Sequence, residues 1–166
     1  MLLKKKRVVL SIVLGILLLG WMALIFSFSC EDGQKSGKTS TEKVTEILEV
    51  VTPSKPSQEI KEQVVSSQKS IRKIAHILVY TVLGFISASF FSTAFVTSLK
   101  NRLLLSTSLC YFYAATDELH QYFVEGRSGL TSDIIVDLLG ALVAVSLFFV
   151  AEKMWHFFRE RKAFAF

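Results

Sequence analysis

The sequence predicts an all-α fold: an integral membrane four-helix bundle with a partly helical extracytoplasmic loop between helices 1 and 2. Hydrophobic residues make up 51% of the 166 residues, and the mean hydropathy is +0.46. The apolar residues lie in long blocks separated by charged clusters, as in membrane proteins. This hydrophobicity excludes a disordered chain. Only 8 glycines, 2 prolines and 2 cysteines are present, which excludes collagen-like and disulfide-scaffold proteins.

The first predicted span is residues 8–28, which are 21 uncharged residues. At ~1.5 Å per residue this helix reaches ~31 Å, enough to cross a hydrocarbon core of ~30 Å. Residues 1–7 precede it as a basic N-terminus. A cleaved signal peptide is the alternative, because Ser-Phe-Ser-Cys30 resembles a lipoprotein cleavage box. The apolar run is longer than the ~7–15 residues of a signal peptide, which favours a transmembrane helix.

Residues 31–70 form a polar segment that is expected to lie outside the cytoplasm. Thr39 and Glu42 make a capping box, so a helix is predicted to begin there and to end before Pro53. A second helix is predicted to begin at Ser57 and to run towards Arg72. Both are too polar to cross a membrane. They are expected either to lie on the membrane surface or to form a frayed linker.

Three more spans are predicted at residues 74–99, 103–124 and 134–151. The prediction is weakest for residues 103–124, the third span of the chain, because only the first 14 of these residues lack charge. If all four helices cross, one side of the membrane carries a net charge of +8 and the other −3. The positive-inside rule then places both termini in the cytoplasm, including a basic tail at residues 152–166. The basic clusters that flank the spans also explain the positive net charge of the protein. The sequence contains no nucleic-acid-binding motif, and we expect no nucleic-acid partner.

Several polar side chains lie at or within the predicted spans, where an ionised group costs roughly 2.5–3.5 kcal/mol at the membrane centre. They recur at a spacing of four residues, so each pair lies on one helix face. All fall in the outer third of the membrane, and we predict that they line a shared polar pocket. Its members are Arg72, His76, Tyr80, Asp117, Glu118, Gln121, Arg127, Asp133 and Asp137. The alternative is that they only hold the bundle together, at ~1 kcal/mol per interhelical hydrogen bond.

The order of these residues resembles the VanZ-like family of bacterial membrane proteins. The second span reads Arg-Lys-x-x-His76-x-x-x-Tyr80-x-x-Leu-Gly, and the later part reads Asp117-Glu-x-x-Gln-x-Phe, Gly-Arg127, then Asp-x-x-x-Asp137-x-x-Gly. The resemblance defines a VanZ-like core over residues 71–151, with spans 2 to 4. Two departures are Asp137, where the family usually has Asn, and Glu125, where it often has Pro. The first adds a charge to the cluster.

The resemblance implies a cell-membrane protein of Gram-positive-type bacteria, in a family named for a member tied to teicoplanin resistance. It implies no reaction. One hypothesis is a protein whose pocket binds a lipid headgroup, a cell-wall precursor or a glycopeptide or lipopeptide antibiotic, and so affects antibiotic susceptibility. The other is a membrane enzyme with His76 as acid or base and Asp117 or Glu118 as its orienting partner or nucleophile. No cofactor is expected and, without HExxH or similar spacing, no metal. The oligomeric state is left open.

Overall fold

A computed structural model describes residues 2–30, 33–51, 53, 57–124 and 131–163 of the chain. All regular secondary structure in these residues is helical. The five helices, in chain order, are α1 (Leu2–Ser29), α2 (Gly33–Val51), α3 (Ser57–Ala94), α4 (Leu99–Tyr122) and α5 (Thr131–Ala163). The all-α prediction is confirmed for this part of the chain.

Three helices of the described chain are long and apolar enough to cross a membrane. The qualifying segments are Lys4–Ser29 of α1, Lys73–Ala94 of α3 and Asp133–Glu160 of α5. At ~1.5 Å per residue, the shortest of them, with 22 residues, reaches ~33 Å. These segments support the prediction of a membrane protein. Helix α4 overlaps the span predicted at residues 103–124, but it is not among the helices that are long and apolar enough to cross a membrane.

Two predicted boundaries outside the spans are wrong. Helix α2 begins at Gly33, six residues before the predicted cap at Thr39. The helix that begins at Ser57 does not end near Arg72 but continues as α3 to Ala94, over 38 residues. No proline or glycine interrupts it until Gly84, so the backbone can stay helical where the sequence changes from polar to apolar.

The N-terminal part of α3 therefore extends beyond its apolar segment as a helical arm, and α2 packs against this arm. Ile60 and Val64 of the arm are buried at the spacing of one helical turn. In α2, Thr45 is buried, and Val44 and Leu48 are half-buried. The two helices thus share a small apolar core, while Ile47 and Val51 of α2 stay exposed.

The contacts between the long helices fix their directions. Helices α3 and α5 run parallel, because His76 contacts Asp137 near one end and Ser92 contacts Glu152 near the other. Helix α1 runs antiparallel to α3, because Arg7 donates to the Thr93 carbonyl at one end and the Trp21 indole donates to the Val79 carbonyl towards the other. It runs parallel to α4, because Tyr113 contacts Met22 and Gln121 contacts Ser29. In the series α1, α3, α4 and α5, each helix therefore runs in the direction opposite to the preceding one.

Helices α3 and α5 approach each other most closely where two glycines replace side chains. A Cβ atom on Gly84 would lie 2.5 Å from the Ala141 carbonyl oxygen, and a Cβ on Gly140 would lie 2.5 Å from the Ile77 carbonyl oxygen. Neither contact is with a flexible side chain, so the helices would have to separate to admit a methyl group. Small residues at such contacts are typical of membrane helix pairs.

We predict that Gly84→Ala destabilises the protein by ~1–3 kcal/mol, the usual cost of forcing a methyl group into a packed core. The measurement is the unfolding midpoint of the purified full-length chain in detergent. The matched control is Gly20→Ala on α1, where a Cβ would meet no heavy atom within 4 Å. This control is expected to leave stability unchanged or to raise it slightly, because alanine favours the helix. Equal effects of the two variants would contradict the close α3–α5 contact.

Candidate functional site

Polar side chains from four helices meet at the end of the bundle where α1 ends and α5 begins. We call this group the polar cluster and define it by six residues: Ser29 of α1, His76 and Tyr80 of α3, Asp117 and Gln121 of α4, and Asp137 of α5. Five of the six are buried, and His76 is half-buried at 20% exposure. Where a helix contributes two residues to the cluster, they are four residues apart and therefore lie on the same face of the helix.

His76 is paired with Asp137 across the α3–α5 contact. The His76 Nδ1 atom lies 3.2 Å from Asp137 Oδ1 and 3.5 Å from Oδ2. Asp137 is only 1% exposed, so its carboxyl group needs a partner inside the protein. An imidazole that hydrogen-bonds a carboxylate through one nitrogen has a defined tautomer, and its other nitrogen is directed elsewhere.

Asp117 connects α4 to α3 and to α1. The Tyr80 hydroxyl donates to Asp117 Oδ2 at 3.3 Å, and Gln121 Nε2 donates to the same oxygen at 3.0 Å. Gln121 Nε2 also lies 3.4 Å from Ser29 Oγ. Among the described residues, the buried atoms Asp117 Oδ1 and Gln121 Oε1 have no hydrogen-bond partner. Two buried acceptors in one cluster leave room for a donor from a bound molecule or from water.

The other predicted site residues lie near the cluster or outside the described part of the chain. Glu118 is buried, at 5% exposure, on α4 beside Asp117. Asp133 is half-buried in the first turn of α5, one turn before Asp137. Arg72 lies on α3, but its side chain is outside the described residues, and Arg127 is outside them altogether. The predicted pairing of Arg127 with the carboxylates therefore stays a prediction.

The end of α1 contributes residues that the pocket prediction left out. Ser29 approaches Gln121, and the Cys30 sulfur lies 3.3 Å from His120 Nε2. The His120 ring also packs against Phe26, with 4.7 Å between ring centroids. Cys30 and Cys110 are both free.

A second polar group lies at the opposite end of the bundle and has a different character. The Arg102 guanidinium donates to Glu152 Oε1 at 2.7 Å and Oε2 at 3.0 Å, and to Ser92 Oγ at 2.7 Å. It also lies 5.5 Å from the centroid of the Phe149 ring. These contacts join α3, α4 and α5 through one charge-balanced pair, which suits a structural role.

The polar cluster differs because its described carboxyl groups outnumber its bases. Asp117 and Asp137 supply two carboxyl groups, Glu118 and Asp133 stand next to the cluster on the same helices, and His76 supplies the imidazole of the cluster. Such a site can accept hydrogen bonds from hydroxyl or ammonium groups. The His76–Asp137 pair can also move a proton, because a carboxylate that orients an imidazole is a common arrangement for acid–base chemistry. The geometry therefore suits both binding and proton transfer.

Comparison with known proteins identifies one family. The family model described as VanZ/LLP1 matches residues 14–152, which is most of the chain and includes every helix that contributes to the polar cluster. The match begins within α1, upstream of the core predicted over residues 71–151, so the first helix is part of the family's pattern. No curated protein and no solved structure shows significant similarity to the chain.

We predict that Tyr80→Phe lowers the free energy of unfolding by ~0.5–1.5 kcal/mol, the usual net contribution of one hydrogen bond. The change removes the hydroxyl donor to the buried Asp117 carboxyl group, whose Oδ2 atom still accepts a hydrogen bond from Gln121 Nε2. Unfolding of the full-length chain in detergent measures the effect. Tyr111→Phe, on the exposed face of α4, is the matched control and is expected to change stability little. A Tyr80→Phe variant as stable as this control would count against the buried hydrogen bond.

Proposed function

Because the chain belongs to the VanZ-like family, we propose that it is a multi-pass protein of the bacterial cell membrane whose polar cluster binds the head group of an envelope amphiphile. The amphiphile is a membrane lipid, a cell-wall precursor, or a glycopeptide or lipopeptide antibiotic. Binding at the cluster affects the cell's susceptibility to such antibiotics. The supporting observation is the pair of buried acceptors, Asp117 Oδ1 and Gln121 Oε1, which have no partner in the described residues.

The proposal includes α4 as a fourth membrane-crossing helix. Arg102 near one end of α4 contacts Glu152, and Gln121 near the other end contacts Ser29. The 19 residues between them correspond to ~28 Å of helix, close to the ~30 Å of a hydrocarbon core. The acidic residues of α4 face the bundle: Asp117 and Glu118 are both buried. Helix α4 alone is too polar to cross a membrane. Its packing against three apolar helices would compensate, because its acidic side chains are then shielded from lipid.

The proposed orientation places the polar cluster outside and both termini in the cytoplasm. It is supported by the basic residues in the first turns of α1 and of α4 and in the last turns of α5, which the alternating helix directions bring to one side. The cluster then lies at the level of the outer leaflet, where the head groups of envelope amphiphiles are found. The excess of carboxyl groups among its described residues favours a head group with hydroxyl or ammonium donors.

A membrane enzyme is the second candidate, and the His76–Asp137 pair is the observation that favours it. In this reading His76 is the acid or base and Asp137 is the residue that orients it, in place of the Asp117 or Glu118 expected from the sequence. Asp117 and Glu118 remain available as nucleophile or second acid. The substrate would be a lipid-linked envelope molecule, of the same class as the ligand of the first candidate.

The proposed orientation predicts selective labelling of Cys30. Cys30 is exposed at the end of α1, whereas Cys110 is fully buried. A membrane-impermeant maleimide added to intact cells is expected to label the wild type and to leave Cys30→Ser unlabelled. Labelling of the wild type that needs permeabilised cells would place the cluster on the cytoplasmic side and contradict the orientation.

The binding proposal predicts that antibiotic susceptibility depends on Asp117. Deletion of the protein is expected to change teicoplanin or daptomycin susceptibility. Asp117→Asn, which removes the charge but keeps the shape, is expected to reproduce most of that change. Glu46→Gln on the exposed face of α2 is the matched control and should behave as wild type. If the deletion changes neither susceptibility, or if Asp117→Asn behaves as wild type while present at normal levels in the membrane, the binding proposal is wrong.

Mass spectrometry of the ligand that co-purifies with the protein separates the two candidates. A binding protein is expected to release its ligand chemically unchanged, in the same form from wild type and from His76→Gln. An enzyme is expected to accumulate a converted product in the wild type and the unconverted substrate in His76→Gln. Equal ligand masses from both proteins would exclude the enzyme.

A further inference from the structure

A thiol and an imidazole meet at the edge of the polar cluster. The Cys30 sulfur, at the end of α1, lies 3.3 Å from Nε2 of His120, in the last turn of α4. Cys30 is exposed, and His120 is half-buried. The residues next to them in the chain, Ser29 and Gln121, belong to the polar cluster and approach each other to 3.4 Å. The thiol–imidazole pair therefore lies beside the cluster, and its sulfur is accessible from outside the protein.

The contact has the geometry of an activated nucleophile. A thiol becomes a better nucleophile when an imidazole lies within hydrogen-bond reach and a third group holds the imidazole in place. Phe26 is this third group, because its ring packs on the His120 ring at 4.7 Å between centroids and a tilt of 32°. The Cys30 N–H also donates to the Phe26 carbonyl at 3.0 Å. One turn of α1 therefore holds both the thiol and the ring that orients its base.

The helix ends around the pair favour transfer of the thiol proton to the imidazole. Helices α1 and α4 run parallel and both end at this level, at Ser29 and Tyr122. The carbonyl end of a helix favours a positive charge, which is the charge that His120 acquires when its Nε2 atom takes the proton. The imidazolium then offsets the negative charge of the thiolate, and the thiolate is the form of cysteine that reacts.

A covalent partner for this thiol has to come from outside the chain. The protein has only two cysteines, and the other, Cys110, is fully buried within α4. Cys110 stands ten residues before His120, so ~15 Å of helix separates its level from that of Cys30. A disulfide needs Cα atoms within ~7 Å of each other. Cys30 therefore cannot form a disulfide within one chain.

We propose that Cys30 is a covalent site that takes small thiol compounds from their disulfides, with His120 as its base. The Cys30 S–H proton passes to His120 Nε2, and the Cys30 sulfur attacks one sulfur of the small disulfide. The S–S bond of that disulfide breaks, and its electron pair leaves with the second sulfur, which takes the proton from His120. One mixed disulfide forms and one small thiol is released, so the exchange needs no further oxidant.

A small disulfide is the fitting partner because the base is half-buried between α1 and α4. The leaving sulfur has to come close to the two helix ends to receive its proton from His120. The site goes beyond the binding of a head group, and its chemistry does not depend on the proposed function.

The exchange rate of the purified full-length chain in detergent tests the proposal, with bis(2-hydroxyethyl) disulfide as the probe. This disulfide is small and uncharged, so the charges around the site neither attract nor repel it. Mass spectrometry of the intact protein follows the mixed disulfide over time at pH 7. His120→Gln keeps a side chain of similar size that cannot take the thiol proton. His156→Gln, on the exposed end of α5, is the matched control, and Cys30→Ser gives the background.

The proposal predicts that the wild type and His156→Gln gain one adduct at equal rates, and that His120→Gln reacts at least tenfold more slowly. Cys30→Ser is expected to gain none, because Cys110 is fully buried. Three results would overturn the proposal. They are a His120→Gln variant that reacts as fast as the wild type, a wild type that gains no adduct, and a wild type that forms disulfide-linked dimers in place of the adduct.

A second measurement at pH 10 separates loss of the base from loss of access to the thiol. An ordinary thiol has a pKa of ~8.5, so at pH 10 it ionises without a base. His120→Gln is then expected to react as fast as the wild type, and a deficit that persists at pH 10 would overturn the role of His120. The other ionisable groups at this end of the bundle are the same in both proteins, so they do not cause a difference in rate. Among the described residues they are Tyr113, Asp117 and Glu118 of α4, His76 and Tyr80 of α3, and Asp133 and Asp137 of α5.

Discussion

The constraint that shapes this protein is the cost of burying carboxyl groups between apolar helices. Asp117 and Asp137 are almost fully buried, and each would be expensive to keep there without hydrogen-bond partners. Each receives a donor from a different helix: Asp137 meets His76 of α3, and Asp117 meets Tyr80 of α3 and Gln121 of its own helix. The two carboxyl groups thus set how far α4 and α5 can slide or rotate against α3, because a shift of one residue would break both connections.

Close packing makes those connections reachable. Gly84 and Gly140 let α3 and α5 touch backbone to backbone, which brings His76 within 3.2 Å of Asp137 one turn above. At the other end, Arg102 and Glu152 hold the same helices through a charge-balanced pair. Between the two polar ends the outer surface of the contact is an apolar groove.

The sequence predicted the parts of this structure that depend on local pattern. The apolar blocks predicted the helices, and the spacing of His76 and Tyr80, and of Asp117 and Gln121, predicted which side chains share a face. The spacing does not tell which carboxyl group meets His76, because that depends on the rotation of α5 about its axis, which the two glycines determine. The continuation of α3 across residue 72 is harder to predict, because the residues change there from polar to apolar, as at a boundary, although no helix breaker stands there. The contact of Cys30 with His120 depends on the parallel packing of α1 and α4, which no local motif encodes.

Nuclear magnetic resonance of the histidine rings tests the central pairing most directly. The chain has three histidines, so selective ¹⁵N labelling of histidine in the full-length protein gives three rings to follow. The account predicts that Asp137→Asn shifts the Nδ1 resonance of His76, whose ring contacts that carboxyl group, and leaves the resonances of His156 on the exposed end of α5 unchanged. A spectrum in which Asp137→Asn leaves the His76 resonance where it was would contradict the pairing, and with it the polar cluster as described.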